Sequence, residues 1–408
     1  MLALTKNICA RYVKPYRALP IKIWFFLLTA LINNMGVMIN VFLALYLKFS
    51  LHYSLIQIGI VSSASGFGLL LGSILGGYVS DSMDLRRLML FILASSSITI
   101  YGLAFAHSLL SISTLILLIN ILQGAFKPLI SVVLLQLSKT QQHVQVMSLR
   151  RVVLNIGMAI ANMIGAVLFT FSYQSIFYFD ALITLLSFLS VLFFTKNLNL
   201  SKHLAPKGKT NKLAALSDKW FVLIYLCCLL PTIVFYQLFT VYPIYLTESY
   251  HLTVHQYTML NCINAFMIIF LEVPLLYALR DIRRERIAAL GAVFICFGQG
   301  MLPLGHGLFY AIALTLFWTL GEMVFFTIII LLAIEKSTER TKGQYIGIFQ
   351  TIFSLAQMIA PLIGTWIYQN YSANLLWHLS AAIGIFTYFC FEGLHYYRFS
   401  IQSSIRKI

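Results

Sequence analysis

The residues GGYVSDSMDLRR at positions 76–87 decide the fold, because they form the first strongly charged break between long apolar runs. The apolar run 54–79, which ends within this stretch, is long enough to cross a membrane, and another apolar run begins at residue 88. The break therefore predicts a short loop between two membrane helices. Gly76 and Gly77 predict the close approach of a neighbouring helix, because glycine has no side chain to hold it away.

The charged residues of this stretch predict a conformational latch. Asp81 lies one helical turn beyond Gly77, and Arg86 and Arg87 follow it. A carboxylate that faces a guanidinium group at a helix end forms a charge-assisted contact, and movement of the helices would break that contact. The alternative is an ordinary cytoplasmic turn whose positive charges only fix the topology.

The composition of this 408-residue chain excludes a soluble globular protein. Hydrophobic residues make up 60% of the chain and charged residues only 10%, whereas about 25% is usual for charged residues in soluble domains. Twelve apolar runs are each long enough to span a bilayer, and we number them spans 1 to 12. They cover residues 22–47, 54–79, 88–107, 111–136, 148–171, 175–195, 219–246, 256–279, 287–305, 309–334, 343–369 and 373–397.

The distribution of positive charge predicts the orientation of the spans. With both termini in the cytoplasm, all but two of the 28 Lys and Arg residues fall in cytoplasmic segments. The exceptions are Lys48, in an outer loop, and Lys127, within span 4. The net charge of +16 therefore reports orientation, and we expect a lipid bilayer and no nucleic acid as the partner.

The cysteines and the loops restrict the setting further. None of the six cysteines lies in an outer loop, and their spacing matches no metal site, so we expect neither disulfides nor a bound metal. The loops are short and no additional domain is evident. We therefore expect a bacterial inner membrane protein, with a short-looped organellar protein as the alternative.

A basic hydrophilic segment divides the spans into six and six. It covers 196–218 and predicts two six-helix bundles, 1–195 and 219–408, joined by a cytoplasmic linker. Two homologous halves around a midplane site are typical of alternating-access transporters. Three short patterns recur across the linker at an offset of about 198 residues: Asp84-Leu-Arg-Arg as Asp281-Ile-Arg-Arg, Leu122-Gln-Gly as Leu320-Gly-Glu, and Ala161-Asn-x-x-Gly as Ala360-Pro-x-x-Gly.

Ionisable and amide side chains inside the spans predict a central site for substrate and proton. Such groups are costly in hydrocarbon, so those that remain face protein or a water-filled cavity. Lys127, Glu272 and Glu322 lie near the middle of their spans, where the alternative to a functional role is a buried structural ion pair. Asp180 lies nearer the end of span 6, and for it we expect a structural role. Four amide residues on polar faces of spans 1 and 4 complete the predicted site: Asn33, Asn40, Asn120 and Gln123.

The sequence resembles the major facilitator superfamily over nearly its whole length. The loop between helices 2 and 3 of that family reads Gly-x-x-x-Asp-x-x-Gly-Arg-Lys/Arg. Gly77, Asp81 and Arg86 match it, whereas Asp84 stands where the family has Gly. The resemblance leaves open whether Arg86 or Arg87 has the role of the family arginine.

Other motifs of the family are present only in part. In span 4 the family carries Arg-x-x-x-Gly, in which the arginine is linked to proton coupling. This chain has Asn120 and Gly124 at those positions, and Lys127 is the cation nearby. The stretches LEVPL at 271–275 and WTLGEM at 318–323 are similar to helices 8 and 10 of bacterial multidrug-resistance exporters.

The resemblance implies a twelve-helix secondary transporter that works by alternating access. No Gly-x-x-x-x-Gly-Lys-Ser/Thr loop is present to bind a nucleotide, so an ion gradient is the expected driving force. We expect proton-coupled efflux of a small amphipathic molecule by a monomer that needs no cofactor. The alternatives are a metabolite or siderophore carrier, a non-transporting membrane sensor and a polytopic membrane enzyme.

Two expectations concern the cavity itself. Glu322 and Lys127 should face one cavity and neutralise each other, with Glu322 as the proton-sensitive group and Glu272, at the interface between the halves, as the alternative. Aromatic residues of span 7 should form adaptable apolar walls: Tyr225, Phe235, Tyr236, Phe239 and Tyr242.

The orientation can be tested with reporter fusions. Fusions at Lys207 and Arg283 should report a cytoplasmic location, and fusions at Ser249 and His306 an external one, because positive charge collects on the cytoplasmic side. A fusion at Arg283 that reports from outside would contradict the count of twelve spans.

Overall fold

The prediction of an all-helical membrane fold is confirmed. We analysed a computed structural model that describes residues 19–36, 38–139, 142–195, 214–335, 337 and 341–405. In the first half the helices are Ile21–Met35, Met38–Leu45 and the π-turn Tyr46–Ser50 for span 1, then Leu55–Ser82, Leu85–Leu103, Leu109–Gln136, His143–Phe171 and Tyr173–Phe194 for spans 2 to 6. In the second half they are Lys219–Tyr236, the 3-10 turn Gln237–Phe239 and Val241–Glu248 for span 7, then Val254–Ala278, Arg284–Gly300, Gly307–Ala333, Lys342–Asn370 and Ala373–Ile405 for spans 8 to 12.

The predicted linker is described only at its end. Residues 196–213 lie outside the described residues, and Ala214–Ser217 forms a short helix before span 7. Asp218 then caps span 7 by accepting a hydrogen bond from the backbone N–H of Trp220 at 3.0 Å. The domain boundaries at 195 and 219 stay predictions.

Ten helices of the described part of the chain are long and apolar enough to cross a membrane. Spans 3 and 9 are not among them. Span 3 begins with Arg86 and Arg87 in its first turn, and span 9 has only 17 residues. Each of these two helices packs against two others of its own half: span 3 against spans 4 and 6, and span 9 against spans 10 and 12.

The two halves repeat each other at the helix ends that the charge pattern assigns to the outer side. Ser54 opens span 2 with a capping box, and Thr253 opens span 8 with another. Just before each capping box, His52 and His251 adopt the left-handed backbone conformation, with φ of 53° and 55°. The members of each pair lie 199 residues apart in the chain. The offset of the sequence repeat is therefore also present in the backbone.

In the described part of the chain, two helix pairs form most of the contact between the halves, span 2 with span 11 and span 5 with span 8, and span 1 also contacts span 7. Spans 2 and 11 approach so closely that a Cβ at Gly66 would overlap the backbone of Met358. Nearby, Ser63 donates a hydrogen bond to the carbonyl of Met358 at 2.7 Å. Further along span 2, Gly76 lies against Ala125 of span 4, where a Cβ would meet the Ala125 Cα at 2.6 Å. Small residues thus let span 2 contact both its own half and the other half.

Span 1 is not one continuous helix. Its first piece ends at Met35 and the next begins at Met38, so the first N–H groups of the second piece have no helical acceptor. Asp180 of span 6, which is fully buried, accepts a hydrogen bond from the backbone N–H of Ile39 at 2.9 Å. Asp180 therefore has the structural role expected for it, since it caps the second piece of span 1.

The close contact between spans 2 and 11 can be tested by adding one methyl group. Gly66→Ala should lower the unfolding temperature by a few degrees, because the added Cβ forces two backbones apart at a cost of about 1–3 kcal/mol. Thermal unfolding of the purified protein in detergent measures this change. Gly102→Ala is the matched control, since nothing lies within 4 Å of a Cβ at Gly102. Equal unfolding temperatures for the two variants would contradict the contact.

Candidate functional site

A cavity of about 230 Å³ lies between the two halves. Side chains from spans 1, 2, 4 and 5 of the first half and from spans 7 and 11 of the second half form its wall. Lys127 is the one charged residue among the described residues that line it. The lining residues are Asn34, Asn40, Leu43, Ser62, Ser65, Leu69, Lys127 and Met158 on one side and Tyr236, Phe239, Thr240, Gln357 and Pro361 on the other.

A chain of hydrogen bonds crosses the cavity wall from one half to the other. Gln357 of span 11 donates from Nε2 to the Ser65 Oγ at 3.0 Å. Ser65 in turn donates to the Asn40 Oδ1 at 3.5 Å. Because these residues belong to spans 11, 2 and 1, the chain links the two halves with neutral groups that can exchange partners with a ligand.

The four predicted amide residues have different environments. Asn40 lines the cavity, but Asn33 is buried beside it and its neighbour Asn34 lines the cavity instead. The physical reason is the break in span 1, because a spacing of seven residues keeps one face only along a continuous helix. Asn120 is buried and donates to the carbonyl of Ile116 in its own helix at 2.9 Å. Neither it nor Gln123 is among the residues that line the cavity.

The two central charges, Lys127 and Glu322, do not form an ion pair in this conformation. Lys127 lines the cavity, whereas the Glu322 Oε2 accepts a hydrogen bond from the Asn264 Nδ2 of span 8 at 2.6 Å. The same Asn264 nitrogen donates to Thr319 Oγ1 at 3.1 Å. Tyr236, which lines the cavity, lies close enough to Glu322 to sense its charge. Glu322 is not among the residues that line the cavity, and its role in proton coupling stays a prediction.

Glu272 lies at the interface between the halves, where the sequence analysis put it. Its Oε1 is 2.7 Å from the guanidinium nitrogen of Arg151 in span 5, and it accepts a hydrogen bond from Thr327 of span 10 at 2.8 Å. The Glu272 side chain is only 8% exposed. Arg151 and Glu272 both lie in the half of their spans that the charge pattern assigns to the cytoplasmic side, so this ion pair joins the halves there.

A second ion pair joins the halves at the ends of spans 1 and 7 that the charge pattern assigns to the outer side. The Lys48 Nζ is 2.9 Å from Glu248 Oε1, and the hydroxyl of Tyr368 in span 11 donates to the other Glu248 oxygen at 3.1 Å. Close by, Gln369 accepts the backbone N–H of Ile56 at 3.0 Å. Sequence reasoning missed this pair, although one signal was available: Lys48 is the single basic residue of the predicted outer loops.

Only two of the five predicted aromatic wall residues line the cavity, namely Tyr236 and Phe239. Tyr242 is buried in a hydrophobic cluster to which both halves contribute, and Phe235 packs edge-on against Phe326 of span 10 at a centroid distance of 4.8 Å. The hydroxyl of Tyr225 pairs with that of Thr351 at 2.8 Å. The wall is therefore more polar than the aromatic content of span 7 suggested.

The predicted latch is described only in part. The side chain of Asp81 and the surroundings of Gly77 lie outside the described residues, so the latch stays a prediction. The side chain of Arg86 donates to the hydroxyl of Thr195 at 2.8 Å and to the carbonyl of Leu192 at 3.2 Å, which ties span 3 to the end of span 6. Arg87 is exposed, and its backbone N–H is capped by Asp84 at 2.9 Å.

Several solved transporter structures share this fold. The nucleoside transporter NupG aligns with 92% of this chain and 99% of its own, with a TM-score of 0.76 and 13% identity. The POT family transporter PepTSo aligns with 94% of this chain and 99% of its own, with a TM-score of 0.74 and 13% identity. A bacterial homologue of the human lysosomal transporter Spinster, in an inward-facing and unoccupied conformation, covers 93% and 96%, with a TM-score of 0.70 and 13% identity.

Sequence comparison gives the same result as structure comparison. The uncharacterised MFS-type transporter YqjV of Bacillus subtilis strain 168 is 22% identical over 348 residues, which are 84% of this chain and 85% of YqjV. The family profile described as Major Facilitator Superfamily matches residues 25–340 and, in a second alignment, 238–395. Because that match covers far more than half of the sequence, this chain belongs to the Major Facilitator Superfamily and is a multi-pass membrane transport protein rather than an enzyme.

Proposed function

We propose that this protein is a proton-coupled secondary transporter, and that two ion pairs between its halves close the central cavity from opposite sides. The observation that carries the proposal is the placement of these pairs. Lys48–Glu248 joins the outer ends of the halves, Arg151–Glu272 joins them towards the cytoplasm, and the cavity lies between. Contacts that must break and re-form in turn are what alternating access requires.

The two pairs differ in how readily water can replace them. Lys48 and Glu248 are 27% and 33% exposed, so the solvent can take over their hydrogen bonds when the outer side opens. Glu272 is nearly buried, and separating it from Arg151 would leave an unpaired carboxylate in a poorly hydrated site. The cytoplasmic side should therefore open more readily when a carboxyl group is neutralised at the same time. Proton binding supplies such a change.

Glu322 is the group to which we assign the transported proton. It lies within electrostatic range of both Arg151 and Glu272, yet its hydrogen-bond partner is the neutral Asn264. One guanidinium cannot neutralise two carboxylates. Since Arg151 contacts Glu272 directly, Glu322 has no ion-pair partner among the described basic residues. A proton on Glu322 would balance this cluster, and its release would let Arg151 shift between the two acids.

For direction and substrate we keep efflux of a small amphipathic molecule as the proposal. The resemblance of spans 8 and 10 to multidrug exporters supports efflux, and the apolar part of the wall at Leu43, Met158 and Phe239 suits a partly apolar molecule. Uptake or export of a metabolite is the second candidate, and the polar side of the cavity favours it. We place the protein in the bacterial inner membrane as a monomer, with both termini in the cytoplasm.

Charge reversal tests the outer ion pair. Lys48→Glu and Glu248→Lys should each favour outward opening by a few-fold, because a partly exposed pair contributes about 0.2–1 kcal/mol. The measurement is the rate at which a membrane-impermeant maleimide, added outside, labels a cysteine introduced at Leu43. The double reversal should restore slow labelling. Fast labelling of the double variant would show that the two charges do not act as a pair.

Removal of the Glu322 charge tests the coupling. Glu322→Gln should abolish accumulation driven by a pH gradient in proteoliposomes, because no carboxyl group remains to carry the proton. It should leave substrate counterflow within a few-fold of the unmodified protein, since exchange needs the cavity but no net proton movement.

Glu272→Gln is the matched comparison, because it removes the other carboxylate near Arg151. Loss of pH-driven accumulation in Glu272→Gln with full retention in Glu322→Gln would reverse the two roles. Retention in both variants would refute proton coupling through this cluster.

A further inference from the structure

We propose that the cavity selects a small organic anion with a single acidic group, such as a carboxylate, and that Lys127 is the residue that binds this group. The proposal rests on the proposed function, since it names the substrate class of the same cavity. It replaces the broader expectation of an amphipathic molecule with one of defined charge. The argument uses the charges at the wall, the hydrogen-bond donors and the size of the cavity.

The charges at the wall favour an anion. Lys127 opens into the cavity and forms no ion pair with any described carboxylate. The two central acids identified in the sequence analysis already have partners. Glu272 forms an ion pair with Arg151, and Glu322 accepts a hydrogen bond from Asn264. An ammonium group inside a membrane protein is costly without a counter-charge. A substrate anion would provide that counter-charge each time it binds.

A second cation lies beside Lys127 and strengthens this field. Arg150 of span 5 donates from its guanidinium group to the backbone carbonyl of Lys127 at 3.4 Å. The Nε of Arg150 is buried and has no hydrogen-bond partner within the described part of the chain. A cationic substrate would therefore approach two positive groups with no acid on the described wall, whereas an anion would be attracted by both.

The neutral groups of the wall suit an acidic group with further acceptor atoms. The Asn40 Oδ1 is engaged by Ser65, which leaves the Asn40 amide N–H groups as the donors that this residue can offer. Lys127 adds an ammonium group with three donors. The wall is apolar at Leu43 on the same side as Lys127 and at Phe239 on the other side. This arrangement fits a molecule that has an anionic end and a short apolar or weakly polar body.

The size of the cavity limits the ligand. Its 230 Å³ lie below the roughly 300–1,000 Å³ of ordinary small-molecule sites, so large amphipathic drugs do not fit in this conformation. The number of cations also limits the charge of the ligand. One primary ammonium group and one partly buried guanidinium group suit a single carboxylate better than a multiply charged phosphate ester. Recognition of such esters usually employs several direct Arg or Lys contacts.

The experiment measures binding and exchange with a defined panel. The purified full-length protein is assayed by thermal shift and by counterflow in proteoliposomes with benzoate, lactate, inorganic phosphate, uridine, choline and tetraphenylphosphonium. We expect benzoate or lactate to stabilise the protein and to exchange. Lys127→Gln should weaken anion binding about tenfold to a hundredfold, and Lys127→Arg should retain it within a few-fold. Lys22→Gln, which removes an exposed lysine at the start of span 1, is the matched control and should not change binding.

The outcomes separate this inference from the proposed function. Exchange of choline, tetraphenylphosphonium or uridine, without binding of any anion, would overturn the anion assignment and leave transport standing. Anion binding that is equally strong in Lys127→Gln would also overturn the assignment, provided that the variant elutes and unfolds like the unmodified protein. If no compound exchanges although anions bind in a Lys127-dependent manner, the proposed transport fails and the anion site stands.

Discussion

The constraint on which this structure depends is that hydrocarbon offers no hydrogen bond to a peptide group. A membrane helix can be interrupted only where another part of the protein replaces the missing partner. In span 1 the carboxylate of Asp180 does so by accepting the N–H of Ile39. Asn34 lies just before this interruption and Asn40 just after it, and both line the cavity. A buried acid of span 6 thus allows span 1 to present two amide side chains that a straight helix would have directed apart.

The same constraint governs how the halves can move. In the middle of the interface, Gly66 lets span 2 lie directly against span 11, and close packing rather than an ion pair stabilises that contact. The Lys48–Glu248 pair lies at the ends of its spans, where water can enter once the halves separate, and in the second pair Arg151 is about half exposed although Glu272 is nearly buried. Close backbone packing at the centre and ion pairs at the periphery favour a rocking motion of the two halves about the centre. Polar partners can then be exchanged for water at one end at a time.

Much of the fold was predictable from sequence, because the apolar runs and the sorting of basic residues are properties of single segments. The Lys127 position at the cavity was also predictable, since a lone charge in a span has few other places to lie. The residues that each polar side chain contacts were not predictable. Periodicity shows which face of a helix is polar but not which helix that face meets, so Asn264 beside Glu322 and Arg151 beside Glu272 became evident only in three dimensions. The seven-residue spacing predicts Asn33 at the cavity. Asn34 lines it instead, because the break in span 1 interrupts that spacing.

The arrangement of charges also explains how an anion site and a proton site can belong to one mechanism. Lys127 lines the cavity, Glu322 bonds to Asn264, and the two do not form an ion pair. An anion on Lys127 would bring negative charge towards Glu322, and two negative groups in a poorly hydrated site repel each other. Binding of the anion would therefore favour a proton on Glu322, and loss of that proton would weaken binding of the anion, so the two would cross the membrane together. This direction of coupling supports the second candidate, transport of a metabolite together with the proton, over efflux.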